Sequence, residues 1–142
     1  MSDCVFCCIA NGSIDPELRV YEDEYVFVQI SLHQKPHNRG HVLVIPKNHV
    51  TDLFESPRIL DAPLLSALRL TSNAVKKAFS ADGIQVRQNN GASAGQDVFH
   101  LHFHVIPRYD GDDFEDQDYE ILSYGDRIAL ADKLKSYLKR EA

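Results

Sequence analysis

The sequence has few cysteines, and the three it contains lie in one short stretch near its start. Because Cys4, Cys7 and Cys8 are so close together, they cannot connect distant parts of the chain, which argues against a secreted disulfide framework. No run approaches the 18 apolar residues of a membrane helix. The start MSDCVFCCIA lacks the basic flank and apolar stretch of a signal peptide. We therefore expect a soluble cytoplasmic protein with no membrane partner.

Basic residues are also scarce, with 15 Lys and Arg against 21 Asp and Glu and a net charge of -6. A protein that holds long nucleic acid by neutralising phosphates needs a basic face, so we expect no such partner. A pocket for one small anion is compatible with this charge. The 142 residues fit one globular domain. We predict a single domain over residues 1–142, with a core at about 5–113 and an acidic loop and helix at 110–142.

The hydrophobic pattern predicts five short strands and two helices. Runs of β-branched and aromatic residues place the strands at 17–30 (two strands around a turn at 22–24), 41–46, 83–89 and 98–107. Apolar residues at helical spacing predict a main helix over 62–79, with Asp61 as its N-cap and Gly83 following as a stop, and a final helix from Asp126. This order indicates an α+β fold with a five-stranded antiparallel sheet. Its open edge favours a homodimer.

Three histidines alternate with apolar residues in HLHFHVIPR, residues 100–108. On a strand they share one face, with the outer pair about 13 Å apart at Cα, a separation that disfavours a single metal held by all three rings. Neutral imidazole is a nucleophile near pH 7, and protonated imidazole binds anions, so the row suits phosphoryl chemistry. His41 adds a fourth imidazole. A solvated sheet face, or a metal site with two of the histidines, remains the alternative.

The motif and its upstream segment closely resemble the histidine triad (HIT) family of nucleotide hydrolases and transferases. The stretches NNGASAGQDVFHLHFHVIPR and RGHVLVIPKNHV carry the resemblance, which runs from about Val5 to Asp113. The CxxC and GDDF segments place the chain nearer the bacterial-type and fragile-histidine-triad-like members than the branch that ends in Trp-Pro-Pro-Gly. The resemblance implies a HIT-like fold that pairs as a homodimer and a purine nucleotide substrate.

The resemblance also implies a reaction. His102 attacks the α-phosphorus of a nucleoside phosphoramidate or dinucleoside polyphosphate, and water then hydrolyses the nucleotidyl-histidine. His104 and His41 match the imidazoles that contact the phosphate. Two alternatives stay open: a nucleotidyl transferase or phosphorylase, and a nucleotide-binding regulatory protein with little turnover, because fold alone does not fix activity.

Further residues of the motif are implied around the nucleotide. The side chain of Gln96 and the backbone of Asp97 and Val98 match positions near the leaving group and phosphate oxygens. Asn89 occupies the position of the family's asparagine, and Gly95 precedes Gln96 in its Gly-Gln pair. Apolar residues match the base pocket, although ordinary core packing explains each of them equally well: Val5, Phe6, Ile9, Phe27 and Ile30.

Two departures from the family pattern concern specificity. Gln29 stands where members usually offer Asp or Asn to the ribose, and the loop at 31–40 is about four residues longer. Asp97 stands where Ser or Thr commonly lies beside the leaving group. A carboxylate there either repels a polyphosphate tail or, with a raised pKa, protonates the leaving group. The residues do not decide between these two readings.

The CxxC of Cys4 and Cys7 has a spacing that suits two ligands of tetrahedral zinc. Free thiols near the N-terminus are the alternative. Resemblance to zinc-containing members of the family implies His49 and His100 as the other two ligands. We therefore expect one structural zinc per chain and no organic cofactor, with His100 structural and its neighbour His102 catalytic.

Overall fold

The computed structural model describes residues 4–141, with side chains to Leu138. Its helices and strands follow the order of the sequence. They are α1 (Val5–Ala10), β1 (Arg19–Glu22), β2 (Val26–Ile30), β3 (His33–Gln34), β4 (Val42–Pro46), α2 (Asp61–Ala78), β5 (Gly83–Arg87), β6 (Phe103–Arg108), β7 (Glu120–Ile121) and α3 (Tyr124–Glu141).

Five strands form one antiparallel sheet in the order β1-β2-β4-β6-β5. This confirms the predicted α+β fold and five-stranded antiparallel sheet. Strands β2 and β4 are buried along their whole length because both faces of the sheet are covered. One face packs against α2 and α3 through residues such as Val28, Val44 and Val105. The other face carries a smaller apolar cluster: Phe6 from α1, Phe27, Leu43 and Ile45.

The histidine strand differs from the prediction. Strand β6 begins at Phe103, so His100 and His102 precede it rather than lying on it. The physical reason is a change of partner, because the Leu101 amide donates to Val50 O at 2.7 Å and not to the neighbouring strand β4. The alternation survives nevertheless, since Leu101 and Val105 are buried in the helix-covered core.

Both predicted helices exist with shifted ends. Asp61 is the first residue of α2 rather than its cap, and no side chain caps this end. The helix ends at Ala78, one residue before the end of the predicted segment, and Ser80 with a left-handed φ of 51° leads the chain away before Gly83. Helix α3 begins at Tyr124, two residues before the predicted Asp126.

A short helix, α1, and the two short strands β3 and β7 were not predicted. Helix α1 has only six residues, too few for a helical period to be visible in the sequence. Within the predicted polar loop at 31–40, β3 pairs with β7, and the two strands of two residues form a second small sheet. In the described part of the chain, no helix combines the length and apolar character needed to cross a bilayer.

Candidate active site

The three imidazoles of His102, His104 and His41 lie in a row. Ring centroids of His102 and His104 are 5.0 Å apart, as are those of His104 and His41. His104 lies directly opposite Leu43 in the β4–β6 pair, on the face that α1 covers. The sheet register and α1 therefore place the row at one side of the fold, away from the main core.

The tautomer of His102 is set by the backbone. Its Nδ1 lies 2.7 Å from the carbonyl oxygen of His100. A carbonyl oxygen only accepts, so Nδ1 carries the proton and Nε2 keeps its lone pair. Phe6 packs edge-on against the ring at a centroid distance of 4.9 Å. These contacts fix the orientation of the His102 ring and leave Nε2 as the nitrogen with the lone pair when the ring is neutral.

His41 and His104 form a neutral hydrogen-bonded pair, with His41 Nε2 and His104 Nδ1 2.9 Å apart. Burial, followed by the nearby His104, lowers the pKa of His41 to about 3. Burial, followed by the nearby His102, lowers the pKa of His104 to about 4. Both rings are uncharged at neutral pH because an ionised imidazole is poorly solvated there.

The direction of that hydrogen bond follows from the buried Nδ1 of His41, which has no partner among the described residues. An unpaired lone pair is tolerated better than an unpaired N–H. The proton therefore sits on His41 Nε2, which donates to His104 Nδ1. His104 then carries its own proton on Nε2, where it is a hydrogen-bond donor for a bound ligand.

Gln34 positions the backbone of His41. The Gln34 side chain is fully buried and donates to the carbonyls of Ser31 and His41 at 2.9 and 2.8 Å. Its Oε1 accepts from the amides of Gly40 and His41, both at 3.1 Å. One side chain thereby closes the neck of the loop that leads into His41.

An apolar cavity of about 340 Å³ opens beside His102 and His104. The predicted base-pocket residues Val5, Phe6, Ile9 and Ile30 line it, together with Val98. Phe27 is fully buried in the cluster behind the wall and is not among the lining residues. We call this space the nucleoside cavity, because its volume and apolar walls suit a purine ring.

Three polar side chains line one part of the nucleoside cavity: Asp15, Gln29 and Arg127. Gln29 donates from Nε2 to Asp15 O at 3.2 Å, whereas its buried Oε1 finds no partner among the described residues. Arg127, which α3 contributes, lies 3.6 Å from the Asp15 carboxylate. A sugar or base N–H or O–H is the kind of donor that would satisfy Gln29 Oε1.

A second cavity of about 350 Å³ lies on the other side of His104. We call it the outer cavity. It shares Ser31, His33, Asp97 and His104 with the nucleoside cavity. Lining residues found only in the outer cavity include His41, Arg87, Asn89, Gly95 and Tyr119.

Gln96 and Asp97 occupy different environments. The Gln96 side chain is buried, where its Oε1 accepts from the Gly91 amide and its Nε2 donates to Thr51 O and Val98 O. The Asp97 side chain is 83% exposed, with Oδ1 3.9 Å from His102 Nε2. Gln96 therefore orders the Gly-rich loop, while Asp97 stands beside the nucleophilic nitrogen.

Cys4, Cys7, His49 and His100 converge at a separate cluster, with all four candidate ligand atoms within 4.8 Å of one another. The Sγ to Nδ1 distances are 3.4 Å for Cys4–His100, 3.4 Å for Cys7–His49 and 3.6 Å for Cys7–His100. A tetrahedral zinc ion with ordinary Zn–S and Zn–N bonds places sulfur and nitrogen about 3.6 Å apart. The cluster therefore has the dimensions of a closed Cys₂His₂ site.

The protonation pattern around His100 also fits a metal. His100 Nε2 donates to Pro46 O at 2.8 Å, which leaves Nδ1 free to face the cluster. Burial lowers the pKa of His100, so its imidazole is neutral, as a ligand must be. Burial also raises the pKa of the Cys7 thiol to about 11. A bound cation opposes this last shift because it stabilises the thiolate.

Sequence reasoning missed several residues that line the two cavities, above all Arg87, Tyr119 and Arg127. Arg87 lies directly opposite His104 in the β5–β6 pair, and correct pairing of these strands would have found it. Tyr119 and Arg127 come from the C-terminal segment, which the sequence offered no reason to bring to the histidines.

Comparisons with known proteins point to one family. The sequence model of the HIT domain matches residues 14–111. An uncharacterized HIT-like protein of Methanocaldococcus jannaschii is 40% identical over 123 residues, which cover 87% of this chain and 88% of that protein. Adenylylsulfatase HINT3 of Arabidopsis thaliana is 43% identical over 111 residues, 78% of this chain and 55% of that enzyme. Adenosine 5′-monophosphoramidase HNT1 of Saccharomyces cerevisiae is 36% identical over 107 residues, which cover 75% of this chain and 63% of that enzyme.

Solved structures share the fold over almost the whole chain. A Hit-like protein of Bartonella henselae superimposes with a TM-score of 0.83 and 36% identity, covering 96% of this chain and 98% of that one. A zinc-bound histidine triad family protein of Mycobacterium smegmatis gives a TM-score of 0.80 and 35% identity, covering 98% of this chain and 95% of that one.

Proposed function

Because the chain belongs to the HIT family, we propose that it is a nucleotide phosphohydrolase that works through a covalent intermediate on His102. The substrates are nucleoside phosphoramidates or dinucleoside polyphosphates, cleaved at the α-phosphate. Relatives named as an adenylylsulfatase and an adenosine monophosphoramidase support a reaction at a nucleoside 5′-phosphorus.

The observation that carries the proposal is the fixed tautomer of His102. With Nδ1–H bonded to the His100 carbonyl, Nε2 is left on the side of Asp97, a residue that lines both cavities and whose Oδ1 is 3.9 Å away. Nε2 attacks the α-phosphorus while the leaving group departs on the opposite side, and water later releases the nucleoside monophosphate. In the neutral tautomer that this hydrogen bond selects, Nε2 is the nitrogen that carries the lone pair.

The other site residues bind and position. The nucleoside occupies the apolar cavity, where Gln29 Oε1 accepts from the sugar or base. His104 donates from Nε2 to a non-bridging phosphate oxygen, and His41 holds His104 in that tautomer. Gln96 acts by keeping the Gly91–Val98 backbone in place, and Asn89 and Gly95 line the adjoining outer cavity.

We also propose one structural zinc held by Cys4, Cys7, His49 and His100. When bound, the ion supplies a fixed cross-link and no open coordination position. The distances within the cluster and the zinc-bound relative support it. Since Phe6 and Ile9 lie on α1 beside two of the ligands, this cross-link also holds one wall of the nucleoside cavity.

Product analysis tests the reaction. Purified protein is incubated with a panel of adenosine and guanosine phosphoramidates and dinucleoside polyphosphates, and mass spectrometry identifies the products. We expect nucleoside monophosphate, with oxygen from ¹⁸O-water on the phosphorus, and an acid-labile nucleotide adduct on His102 after rapid quenching. Products that carry phosphate instead of water oxygen would identify a phosphorylase. No product from any substrate would favour the regulatory alternative.

A further inference from the structure

Helix α1 depends on the rest of the fold for its position. It has six residues and no side-chain cap at its N-terminus, and a helix this short is not stable by itself in water. Phe6 on α1 packs edge-on against His102, and both Phe6 and Ile9 line the nucleoside cavity. The shape of this wall therefore depends on the contacts that hold α1 to the sheet.

The C-terminal end of α1 is held by Arg19, the first residue of strand β1. Its Nη2 donates to Ile9 O at 2.6 Å and to Ala10 O at 3.1 Å. Hydrogen bonds from a guanidinium are charge-assisted and stronger than those between neutral groups. Arg19 thus joins the last turn of α1 to the outer strand β1 of the five-stranded sheet.

Arg19 lies on the face of the sheet that α1 covers. The pairing of β1 with β2 shifts register between Arg19 and Tyr21, and a bulge of this kind re-aims the neighbouring side chains. The guanidinium carbon is 4.6 Å from the centroid of the Phe27 ring, and Phe27 belongs to the apolar cluster beneath α1. Since the Arg19 side chain is only 15% exposed, water competes poorly for its two bonds to α1.

Stability alone does not explain an arginine at this position. Its Nε–H is buried and has no partner among the described residues, and an unsatisfied buried donor destabilises a fold. Its ion pair with Glu22, at 3.4 Å, involves a half-exposed carboxylate that also pairs with Lys47 at 2.6 Å. Ion pairs with exposed carboxylates contribute little. The bonds to α1 are therefore the main contribution of the arginine.

We propose that Arg19 is a positioning residue for nucleotide binding and that it acts through α1. Arg19 is not among the described residues that line the two cavities, so its effect on the nucleoside is indirect. By holding the carbonyls of Ile9 and Ala10, it keeps Ile9 and Phe6 in the wall of the nucleoside cavity. The inference rests on the nucleotide site of the proposed function and not on the chemistry at His102.

Arg19 and the candidate metal ligands hold opposite ends of α1. Cys4 precedes the helix and Cys7 lies in its first turn, whereas Arg19 bonds the last two residues of the helix. The bonds of Arg19 need no metal. Loss of Arg19 should therefore displace the cavity wall and leave the metal content of the protein unchanged.

Arg19→Met tests the assignment, because methionine keeps an unbranched side chain over Phe27 and removes the donors. We expect the Kd for AMP in calorimetric titration to rise about tenfold, which is within the range for a lost charge-assisted hydrogen bond. The KM of a cleaved substrate should rise by a similar factor. The kcat should stay within about threefold, since His102 keeps its bond to the His100 carbonyl. Arg19→Lys retains a cation and should give an intermediate Kd.

Hydrogen-exchange mass spectrometry tests whether Arg19 acts through α1. The peptide over residues 5–12 should exchange faster in Arg19→Met than in the wild type, while peptides from the buried strand β4 keep their protection. Glu22→Gln is the matched control, because it removes the ion pair of Arg19 and leaves the bonds to Ile9 O and Ala10 O. The control should keep the wild-type Kd and the wild-type exchange of this peptide.

Several results would overturn the assignment. If Arg19→Met binds AMP with the wild-type Kd, Arg19 has no role in nucleotide binding, whatever the melting temperature of the variant. If its Kd rises without faster exchange over residues 5–12, Arg19 does not act through α1. A wild-type protein that binds no nucleotide would overturn this inference together with the proposed function, whereas AMP binding without turnover of any substrate would contradict the hydrolase alone.

Discussion

At the scale of single residues, backbone contacts decide the role of each histidine. Three imidazoles two positions apart in the sequence have different hydrogen-bond partners: His100 bonds Pro46 O, His102 bonds the His100 carbonyl, and His104 bonds His41. The carbonyl contacts of His100 and His102 fix which nitrogen carries the proton, and the buried Nδ1 of His41 does the same for His104. The result is one candidate metal ligand, one candidate nucleophile and one hydrogen-bond donor.

Replacing His102 with alanine should abolish turnover and preserve nucleotide binding. The substitution removes the attacking nitrogen, whereas the nucleoside cavity is walled mostly by other residues. We expect kcat to fall by roughly 10⁴-fold or more, as for covalent catalysts that lose their nucleophile. Steady-state kinetics and calorimetric titration with AMP measure the two effects.

The control for this prediction is His37→Ala. His37 is exposed and pairs with Asp113 at 3.1 Å, outside both cavities, so its loss should leave kcat within twofold. A His102→Ala protein with turnover within tenfold of wild type would contradict the mechanism.

Stability should fall as the pH drops below about 6.5. His41 and His104 have pKa values lowered to about 3 and about 4 in the folded state, against about 6.5 in the unfolded chain. The unfolded chain therefore binds protons that the folded protein does not, and each group reduces the free energy of unfolding by up to about 1.4 kcal/mol per pH unit. Urea unfolding at pH 7.5, 6.0 and 5.0 measures this slope.

The matched comparison is His41→Gln, which removes one of the two titrating groups. Its stability should depend less steeply on pH between 6.5 and 5, whatever its absolute stability. Equal slopes for the two proteins would show that His41 binds its proton equally in both states.

At the scale of elements, short segments connect the site to the sheet. The loop at 31–40 is fastened at its neck by Gln34 and along its length by the β3–β7 pairing. Gly40 closes the loop against α2, where a Cβ would lie 2.5 Å from the Phe79 ring. The loop therefore forms a fixed wall of the outer cavity. His33 from the loop and Tyr119, which precedes β7, both line that cavity.

Gln34→Leu should destabilise the protein strongly. The substitution removes the side-chain partner of the Gly40 and His41 amides and of the Ser31 carbonyl, whereas the His41 carbonyl keeps its bond from the Ser31 amide. Each buried group left unsatisfied costs about 1–3 kcal/mol. We expect a loss of about 3 kcal/mol or more in urea unfolding, and a higher KM because His41 is no longer positioned.

Gln88→Leu serves as its control. The Gln88 side chain bonds only to its sequence neighbours Asn89 and Asn90, so its loss should change the free energy of unfolding by less than about 1 kcal/mol. A similar effect for both variants would rule out a special role for the loop neck.

At the scale of the whole molecule, the proposed zinc joins segments that are far apart in sequence. We expect about one zinc per chain in metal analysis of purified protein. Cys4→Ser combined with Cys7→Ser should remove it, lower the melting temperature and weaken nucleotide binding more than it slows the chemical step.

Cys8→Ser is the control for the zinc prediction and should retain the metal, because Cys8 is not in the four-residue cluster. If the wild-type protein contains no metal and melts and binds nucleotide like the double variant, the zinc site does not exist. If chelation stopped the chemistry and left binding intact, the metal would be catalytic.

The sheet ends at β5, which pairs with β6 on one side and has no strand partner on its outer side among the described residues. Val86 on that strand is 46% exposed, and such an edge pairs readily with another chain. We therefore predict a homodimer, with a mass in solution of twice the 16.1 kDa chain. Multi-angle light scattering in dilute buffer checks this, and a monomeric mass would contradict it.

The sequence by itself determined the strand and helix types, the α+β class and the family, because these depend on local hydrophobic period and on the spacing of the histidine motif. It also singled out Cys4 and His102, since their motifs are short and contiguous. The expectation that the three histidines share one strand was wrong, because the amide of Leu101 bonds to Val50 instead of β4.

Only the tertiary structure decided which groups meet. Cys4 and His100 are 96 residues apart and lie 3.4 Å from each other, Arg87 faces the histidine pair through strand register, and Arg127 reaches the nucleoside cavity from α3. Local sequence patterns report the faces of single elements and carry no information on which faces pack together. The charged residues that line the outer cavity are brought together by that packing.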